Sequence, residues 1–328
     1  MAKGRTARRE DTTDKKERQS ITVLDKSDFL EIRQTQELNE MQQIGIKCGE
    51  LNEITGNYEM ERGDYLYQII DYNATKKLRM STQQLCLAIV RELSAREFAS
   101  RKIVLDIRDY MNLRGLSDSK EARQQMLYDI KVLFNLEVIH GNLHFHMVQN
   151  YNDKKRGMIP ITIDEDFFTL LKENGYYMSI PPQLFRLSAK KNPNSFHFLY
   201  KITAMKRVNL GRKRENTIRM ETLLNSSPEL PSYEAVMGTD RAISRRIIEP
   251  TVRDLNVLSD TLKWSVYDDF GKPVEKSELP KMPYHRFIKL SVHIDWNYYP
   301  AFKTFTCESA GNKQSKKRNK RKADRIVA

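Results

Sequence analysis

The stretch KIVLDIRDYMNLRGLSDSKEARQQMLYDIKVLF, residues 102–134, decides the fold of the first half of the chain. Its β-branched start predicts a short strand over Lys102–Leu105, and Asp106 then supplies an N-cap for a short helix that ends at Gly115. Ser117 is predicted to cap a longer helix over residues 118–135, because apolar residues recur there at helical spacing and form one face. That face consists of Ala122, Met126, Leu127, Ile130, Leu133 and Phe134.

The segments on either side of this stretch complete a recognisable order. Before it, Ser81 and Gln84 form a capping-box pattern, and Leu85, Ile89 and Leu93 predict a helix near residues 81–96. After it, residues 137–148 predict a strand, residues 152–157 a turn and residues 158–163 the returning strand. Helix, strand, helix, helix and hairpin in that order are typical of a winged helix-turn-helix.

The second half repeats this order. Pro181-Pro182 and residues 190–194 mark a connection, residues 195–208 predict a helix, and residues 217–226 predict a strand that leads into a short helix. Asp240 is predicted to cap a helix with the buried stripe Ile243, Ile247, Ile248, Val252 and Leu255. Strands are expected over 261–267 and 286–296, and the long loop between them predicts an enlarged second wing.

A proline falls inside this last helix. In an ordinary helix interior Pro250 costs about 3 kcal/mol, so the sequence predicts a kink or a break there.

The outward faces of the two third-position helices carry long polar side chains. A helix-turn-helix places the start of its second helix in the major groove, where arginine can bind guanine and glutamine can bind adenine. Any amphipathic helix has a charged outer face, but two such helices, each preceding a hairpin, favour DNA binding. The predicted reading residues are Lys120, Gln124 and Tyr128 in the first half and Arg241, Arg245, Arg246 and Arg253 in the second.

A basic stripe precedes the second of these helices. Residues 201–219 contain seven Lys or Arg and one acid, Glu215. Such a stripe is expected to neutralise backbone phosphates without reading sequence. The phosphate contacts predicted from it are Lys206, Arg207, Arg212, Lys213 and Arg214.

Composition and charge exclude several classes of protein. The chain has 328 residues, a net charge of +13 and a mean hydropathy of -0.65, and no apolar run is long enough to span a membrane. Much of the charge lies at the ends, since residues 1–20 carry +3 and residues 309–328 carry +7. The polar start fits no signal peptide, and the three cysteines, Cys48, Cys86 and Cys307, support neither disulfides nor a zinc site. A cytoplasmic location is expected.

One enzymatic alternative rests on His144-Phe145-His146. A His-hydrophobic-His pattern holds a divalent metal in rolling-circle nickases, where a tyrosine attacks the phosphodiester, and Tyr151, Tyr176 or Tyr177 would be the nucleophile here. Such an enzyme needs a surrounding antiparallel sheet, whereas the preceding 60 residues read as helices, so histidines on a wing strand are the favoured interpretation. No other catalytic or phosphate-binding motif is present, and no catalytic residue, cofactor or metal is predicted.

The order of elements resembles the theta-type plasmid replication initiators, which are built from two winged-helix domains. The resemblance is sharpest in RRIIEPTVRDLNVLSDTLKWSVYD, residues 245–268, which is similar to the family's recognition helix and wing strand. IPPQLFRL followed by FHFLYKI is similar to the interdomain junction, and IVLDIRDYMNLRGL matches in outline. The long N-terminal extension, the enlarged second wing and the basic tail depart from the family pattern.

The resemblance implies a function and a set of partners. Members bind repeated origin sites as monomers, help to open the origin for the host helicase, act with the host initiator, and repress their own promoters as dimers. A winged-helix transcriptional regulator without replication activity remains an alternative. The expectation is therefore an α+β protein of tandem winged helix-turn-helix domains with disordered basic termini, in monomer–dimer equilibrium, that binds double-stranded DNA.

This expectation divides the chain into four parts. They are an N-terminal extension over 1–79, disordered at 1–20, a first domain over 80–180, a second over 181–303, and a disordered basic tail over 304–328.

Overall fold

The structure is a computed structural model that describes residues 29–45, 49–70, 72, 78–153, 157–238 and 240–300. Helices and antiparallel strands alternate along it, and the described strands form four sheets. The two predicted disordered termini, 1–20 and 304–328, lie outside the described residues, as do Cys48 and Cys307.

The first half begins with the elements that the sequence analysis assigned to an extension. These are β1 (Leu30–Gln34), α1 (Gln36–Met41), β2 (Gly49–Leu51), β3 (Tyr58–Arg62) and β4 (Tyr65–Ile69). The elements that follow are α2 (Met80–Ala95), β5 (Lys102–Asp106), α3 (Ile107–Arg114), α4 (Lys120–Asn135), β6 (Leu136–His140), β7 (Leu143–His146), β8 (Val148–Tyr151), β9 (Met158–Ile163), α5 (Glu165–Asn174) and β10 (Tyr176–Ile180).

The second half is richer in short elements. Its helices and strands are α6 (Gln183–Arg186), α7 (Ser195–Val208), β11 (Thr217–Arg219), α8 (Met220–Leu224), α9 (Asp240–Ile243), α10 (Glu249–Asn256), β12 (Leu262–Tyr267), β13 (Pro273–Val274), α11 (Tyr284–Phe287) and β14 (Ser291–Trp296). A π-helical segment, Ser244–Ile248, joins α9 to α10, and we refer to residues 240–256 as the long helix. Short 3-10 turns occupy Val257–Asp260 and Leu279–Lys281.

The two halves share one pattern of strand pairing. In the first, β5 follows α2 and pairs with β9, which pairs with β8 after α4. In the second, β11 follows α7 and pairs with β14, which pairs with β12 after the long helix. We call these the first module (residues 80–163) and the second module (residues 195–296). In each, one strand of the sheet precedes the third helix and the remaining strands follow it.

Local capping explains why the helices of the first module begin and end where they do. The Asp106 carboxylate accepts the backbone N–H groups of Arg108 and Asp109, and Gly115 ends α3 with a φ of 63°. The predicted cap at Ser117 is wrong by two residues, because the Ser119 hydroxyl accepts the N–H of Ala122 and α4 begins at Lys120. Of its predicted apolar face, Phe134 is 38% exposed, and Val132 is buried instead.

Residues 137–148 do not form the single strand that the sequence predicts. The positive φ at Gly141 turns the chain back, so that β6 and β7 pair with each other. β6 also pairs with β4, and a five-stranded sheet in the order β2-β3-β4-β6-β7 results. The returning strand β9 pairs instead with β8 and β5, and the segment of residues 49–69 is thus folded onto the first half.

The irregularity that the sequence predicts at Pro250 is a π-helical turn and not a break. The helix continues through Pro250, because the preceding turn widens and the N–H of Glu249 bonds to the Ser244 carbonyl five residues back. This π-helical turn accommodates a proline that has no N–H to donate to residue 246. Residues 286–290 are not part of a strand, since Arg286 and Phe287 belong to α11 and β14 begins at Ser291.

The halves are joined through buried polar contacts as well as apolar packing. The Gln84 amide, predicted as part of a capping box, is buried and donates to the carbonyls of Leu184 (2.9 Å) and Leu187 (3.2 Å). Ser81 does not cap the helix either, and its hydroxyl donates to Asp129 of α4. Side chains from both modules form one continuous apolar core.

Candidate nucleic-acid interface

The outward face of α4 presents the polar residues predicted from the sequence. Lys120 and Gln124 are exposed. Tyr128 is half-buried, with the exposed Arg79 guanidinium 4.5 Å from its ring centroid. Arg123 is engaged by Asp118 through two bonds of 2.6 Å, so it stiffens the start of the helix. This face therefore offers a cation, an amide and an arginine-covered aromatic ring within four helical turns.

A buried carboxylate anchors α4 to α2. Asp129 is fully buried, and its Oδ1 accepts hydrogen bonds from the hydroxyls of Ser81 (3.0 Å) and Thr82 (2.7 Å) and from the Gln125 amide (3.1 Å). Burial raises the pKa of Asp129. The contact fixes the helix against its module, so the side chains on the opposite face point outward from a rigid support.

The long helix is anchored in the same way. Asp254 is fully buried, and its Oδ2 accepts the backbone N–H (3.0 Å) and the side-chain amide (2.8 Å) of Asn194, just before α7. Arg253 is 53% exposed at its side chain and donates through Nε to Asp254 Oδ1 at 2.7 Å. Arg253 is therefore held close to its own helix, although part of its guanidinium faces solvent.

The other three arginines of the long helix are exposed but face two different clefts. Arg241 and Arg245 line a cleft of about 420 Å³ together with Ser244, Glu249 and Lys281. Arg246 lines a separate cleft of about 810 Å³ whose other residues include Arg62, Tyr233 and Tyr284. The three arginines are neighbours in sequence, but the helix places Arg246 in a different cleft from Arg241 and Arg245.

The residues of the basic stripe also differ in their surroundings, since some are buried in the fold and others are exposed. Lys206 is 8% exposed, and its ammonium donates to Glu215 and, at 2.8 Å, to Asn216 Oδ1. Arg207 donates through Nε to the Tyr177 carbonyl at 2.9 Å. Arg212, Lys213 and Arg214 are exposed in the loop between α7 and β11. Lys206 is thus an interior residue that does not face a phosphate, because the carboxylate of Glu215 already satisfies its charge.

The histidines of the nickase interpretation lie on β7 of the five-stranded antiparallel sheet. The wing-strand interpretation favoured from the sequence is therefore wrong, because residues 49–69 form strands of this sheet and β7 does not pair with the module strands β8 and β9. Glu137 pairs across the strands with His146, whose Nε2 is 3.6 Å from the Glu137 carboxylate, and His144 is hydrogen-bonded to the same carboxylate. Within the described part of the chain, no three His, Cys, Asp or Glu side chains are grouped to hold a metal ion. The hydroxyl of Tyr176, one of the candidate nucleophiles, accepts a hydrogen bond from the Asn39 amide, and burial raises the pKa of Tyr176.

Comparisons with known proteins were made at the level of sequence and of structure. No protein-family model matches the chain, and no curated protein matches it. Similar solved structures include the Pi initiator protein in complex with iteron DNA, with 10% identity, a TM-score of 0.48, and coverage of 83% of this chain and 98% of that one.

Domains 2 and 3 of RctB are also similar. In one structure, of a selenomethionine derivative, the identity is 14% and the TM-score 0.45, with 76% of this chain and 91% of that chain covered. In a second structure of the same domains the identity is 13% and the TM-score 0.40, with 76% of this chain and 90% of that chain covered.

Among the described residues, none of the helices combines the length and the apolarity that a membrane crossing requires.

Three residues of the interface were missed by sequence reasoning. Arg79 lies before α2 and reaches Tyr128 only because α2 packs on α4. Lys281 belongs to the loop after β13, and Glu249 belongs to the long helix. Arg241, Arg245 and Glu249 are spaced four residues apart, which places them on one face of a helix. The sequence therefore contained the information needed to group Glu249 with Arg245.

Proposed function

We propose that this chain is a sequence-specific, double-stranded DNA-binding replication initiator with two winged-helix domains, over residues 80–180 and 181–303. The observation that carries the proposal is the shared strand pairing of the two modules, each with a third helix that presents long polar side chains. This is the arrangement in which a winged helix inserts its recognition helix into the major groove. Two such modules in one chain suit a long binding site with two groove contacts.

The two third helices divide the work of recognition. In the second module, Arg241 and Arg245 supply fork-shaped donors that match guanine O6 and N7. In the first module, Lys120, Gln124 and Tyr128 form a more adaptable set. Exposed Arg212, Lys213 and Arg214 neutralise phosphates, whereas Lys206 is removed from the phosphate-binding set because it is buried and paired.

The biological role follows from the sequence resemblance. In this proposal monomers bind repeated origin sites in the cytoplasm, help to open the origin, and act with the host initiator and the replicative helicase, and dimers repress the chain's own promoter. A transcriptional regulator would use the same surface. Direct repeats beside the gene would favour an initiator, and a lone inverted repeat would favour a repressor.

The decisive experiment measures the binding of cognate and scrambled duplexes at two salt concentrations. Arg245→Ala is expected to reduce the preference for the cognate site by roughly ten- to a hundredfold, because one good arginine–guanine pair discriminates by about 1–3 kcal/mol. Arg212→Ala is the matched control, since loss of an exposed phosphate contact weakens both duplexes alike. An Arg245→Ala protein with unchanged preference would remove the long helix from the reading surface.

The proposal includes no strand cleavage. Two observations favour the nickase alternative: His144 and His146 lie on one sheet face around Glu137, and their strand belongs to a five-stranded antiparallel sheet. Incubation of a supercoiled origin plasmid with Mg²⁺ or Mn²⁺ tests it directly. Metal-dependent nicking that His144→Ala abolishes would establish the nickase and overturn the initiator proposal.

A further inference from the structure

The cleft beside the start of the long helix has an unexpected charge pattern. Three of its residues, Arg241, Arg245 and Lys281, are exposed cations suited to DNA. The fourth charged residue is Glu249, which is also exposed and lies one helical turn beyond Arg245. A carboxylate therefore lies within the surface that the proposed function turns toward DNA.

Glu249 is not engaged as a structural ion-pair partner. In the part of the chain that the structure describes, the ion pairs do not include it. Its Oε1 lies 3.1 Å from the Ser244 hydroxyl, and the same hydroxyl lies 2.7 Å from the Pro280 carbonyl on the other wall of the cleft. The carboxylate is thus positioned by a neutral contact and keeps most of its acceptor capacity for a ligand.

A carboxylate at a DNA interface weakens binding unless it meets a donor. The phosphates repel it, and their repulsion acts on every sequence alike. In the major groove the donor that best suits a carboxylate is the N4 amino group of cytosine, whereas thymine and guanine present acceptors at the corresponding places. Adenine presents an amino donor as well, but its N7 acceptor lies beside that donor and repels a carboxylate. One carboxylate can therefore favour cytosine over the other three bases at a single position.

Glu249 lines the same cleft as Arg245, so the two side chains can contact neighbouring base pairs. Arginine binds guanine through O6 and N7, and the carboxylate accepts from cytosine, so the two side chains together match guanine and cytosine at neighbouring positions. Resting on the proposed function, we propose that Glu249 is a specificity-determining residue that selects a cytosine next to the guanine bound by Arg245.

The test is a selection of binding sites from a random duplex library with the full-length chain. Wild-type protein is expected to select a guanine and a neighbouring cytosine. In Glu249→Gln the cytosine is expected to give way to adenine, which a glutamine amide binds through N6 and N7, while the guanine is retained. Arg245→Ala is expected to lose the guanine. Glu275→Gln, at an exposed acid directly after β13 that does not line the cleft, controls for the loss of charge and should keep both bases.

Binding isotherms supply a second, independent readout. Since Glu249→Gln removes a charge that the phosphates repel, its affinity for random duplex should rise by about two- to fivefold. The ratio of cognate to random affinity should fall by about tenfold.

The outcomes separate the two proposals. If Glu249→Gln selects the wild-type sequence while Arg245→Ala loses the guanine, the role of Glu249 is refuted and DNA reading by the long helix stands. If the wild-type chain selects no sequence at all, the proposed function fails and the role of Glu249 fails with it. A shift from cytosine to adenine that is confined to one position supports both.

Discussion

Asp129 and Asp254 occupy corresponding places in the two modules. Each is fully buried on a third helix and accepts hydrogen bonds from polar groups at the start of the first helix: Ser81 and Thr82 for Asp129, Asn194 for Asp254. A buried carboxylate is tolerated only where donors surround it, since an unpaired one costs several kcal/mol. The proposed recognition surface thus depends on two buried side chains that solvent does not reach.

Substitutions at Asp129 should separate charge from hydrogen bonding. Asp129→Ala leaves two hydroxyls and the Gln125 amide without their acceptor and should lower the free energy of unfolding by about 2–3 kcal/mol. Asp129→Asn keeps an oxygen acceptor without a charge, and burial already raises the pKa of Asp129, so this variant should cost much less. Urea denaturation at pH 7 measures the free energy of unfolding of both variants. An equal decrease in Asp129→Asn and Asp129→Ala would show that the charge itself is required.

At the scale of elements, α7 and the loop after it carry the same residue types for different purposes. Lys206 lies inside the fold against Glu215, whereas Arg212, Lys213 and Arg214 lie outside. The Glu215 carboxylate also accepts the N–H of Gly211 at 2.8 Å, and its pKa is lowered, first by the hydrogen bond from Lys206. One lysine of the stripe therefore shapes the loop that presents the other cations.

Because Lys206 is buried and Arg212, Lys213 and Arg214 are exposed, substitutions at these positions should affect different properties: stability for Lys206 and DNA affinity for the other three. Replacing Arg212, Lys213 and Arg214 together by alanine should weaken cognate and random DNA equally and reduce the salt slope by roughly two to three, because about 0.9 of the slope comes from each phosphate contact. Lys206→Met should leave the salt slope unchanged and lower the free energy of unfolding by about 1–3 kcal/mol. A reduced salt slope in Lys206→Met would return this lysine to the DNA surface.

At the scale of the whole molecule, the segment of β1 and α1 lies between the two halves. β1 pairs with β10, the last strand before the second half. The Tyr200 hydroxyl of α7 donates to Gln34 at 3.3 Å, and His197 Nδ1 lies 2.9 Å from the Gln42 carbonyl. The part of the chain assigned to an extension therefore helps to hold the two modules together.

His197 should make the stability of the contact between α7 and the β1–α1 segment decrease in acid. Burial lowers the pKa of His197 to about 4, against about 6.5 in an unfolded chain. Between these values the unfolded chain binds a proton that the folded chain does not, so stability decreases as the pH falls from about 6.5 toward 4. At pH 5 the loss relative to pH 7 should be about 2 kcal/mol from this residue.

The measurement compares the free energy of unfolding at pH 7 and pH 5 in variants of two histidines. In His197→Asn the difference between the two pH values should shrink by about 2 kcal/mol relative to the wild type. His285→Asn, at an exposed site of α11, is the control and should leave the difference unchanged. An unaltered pH dependence in His197→Asn would show that acid acts elsewhere.

The sequence by itself determined the features that depend on neighbours along the chain. Asp106 and Gly115 bound α3 because a cap and a left-handed residue act within one turn. Helical periodicity identified four buried residues of the long helix, Ile243, Ile247, Ile248 and Leu255, whereas Val252 of the predicted stripe is only half-buried. The outward positions of Lys120, Gln124, Arg241 and Arg245 followed from the same period.

Only the tertiary structure decided what depends on partners distant in the chain. The pairing of β1 with β10 joins residues about 150 positions apart, and no local pattern specifies such a partner. Lys206 and Lys213 are the same residue in one basic stripe, yet the packing of Tyr299 and Glu215 around Lys206 buries it while Lys213 stays in solvent. The cleft that brings Lys281 to Arg245 forms for the same reason, because burial and charge pairing are set by what surrounds a side chain rather than by what precedes it.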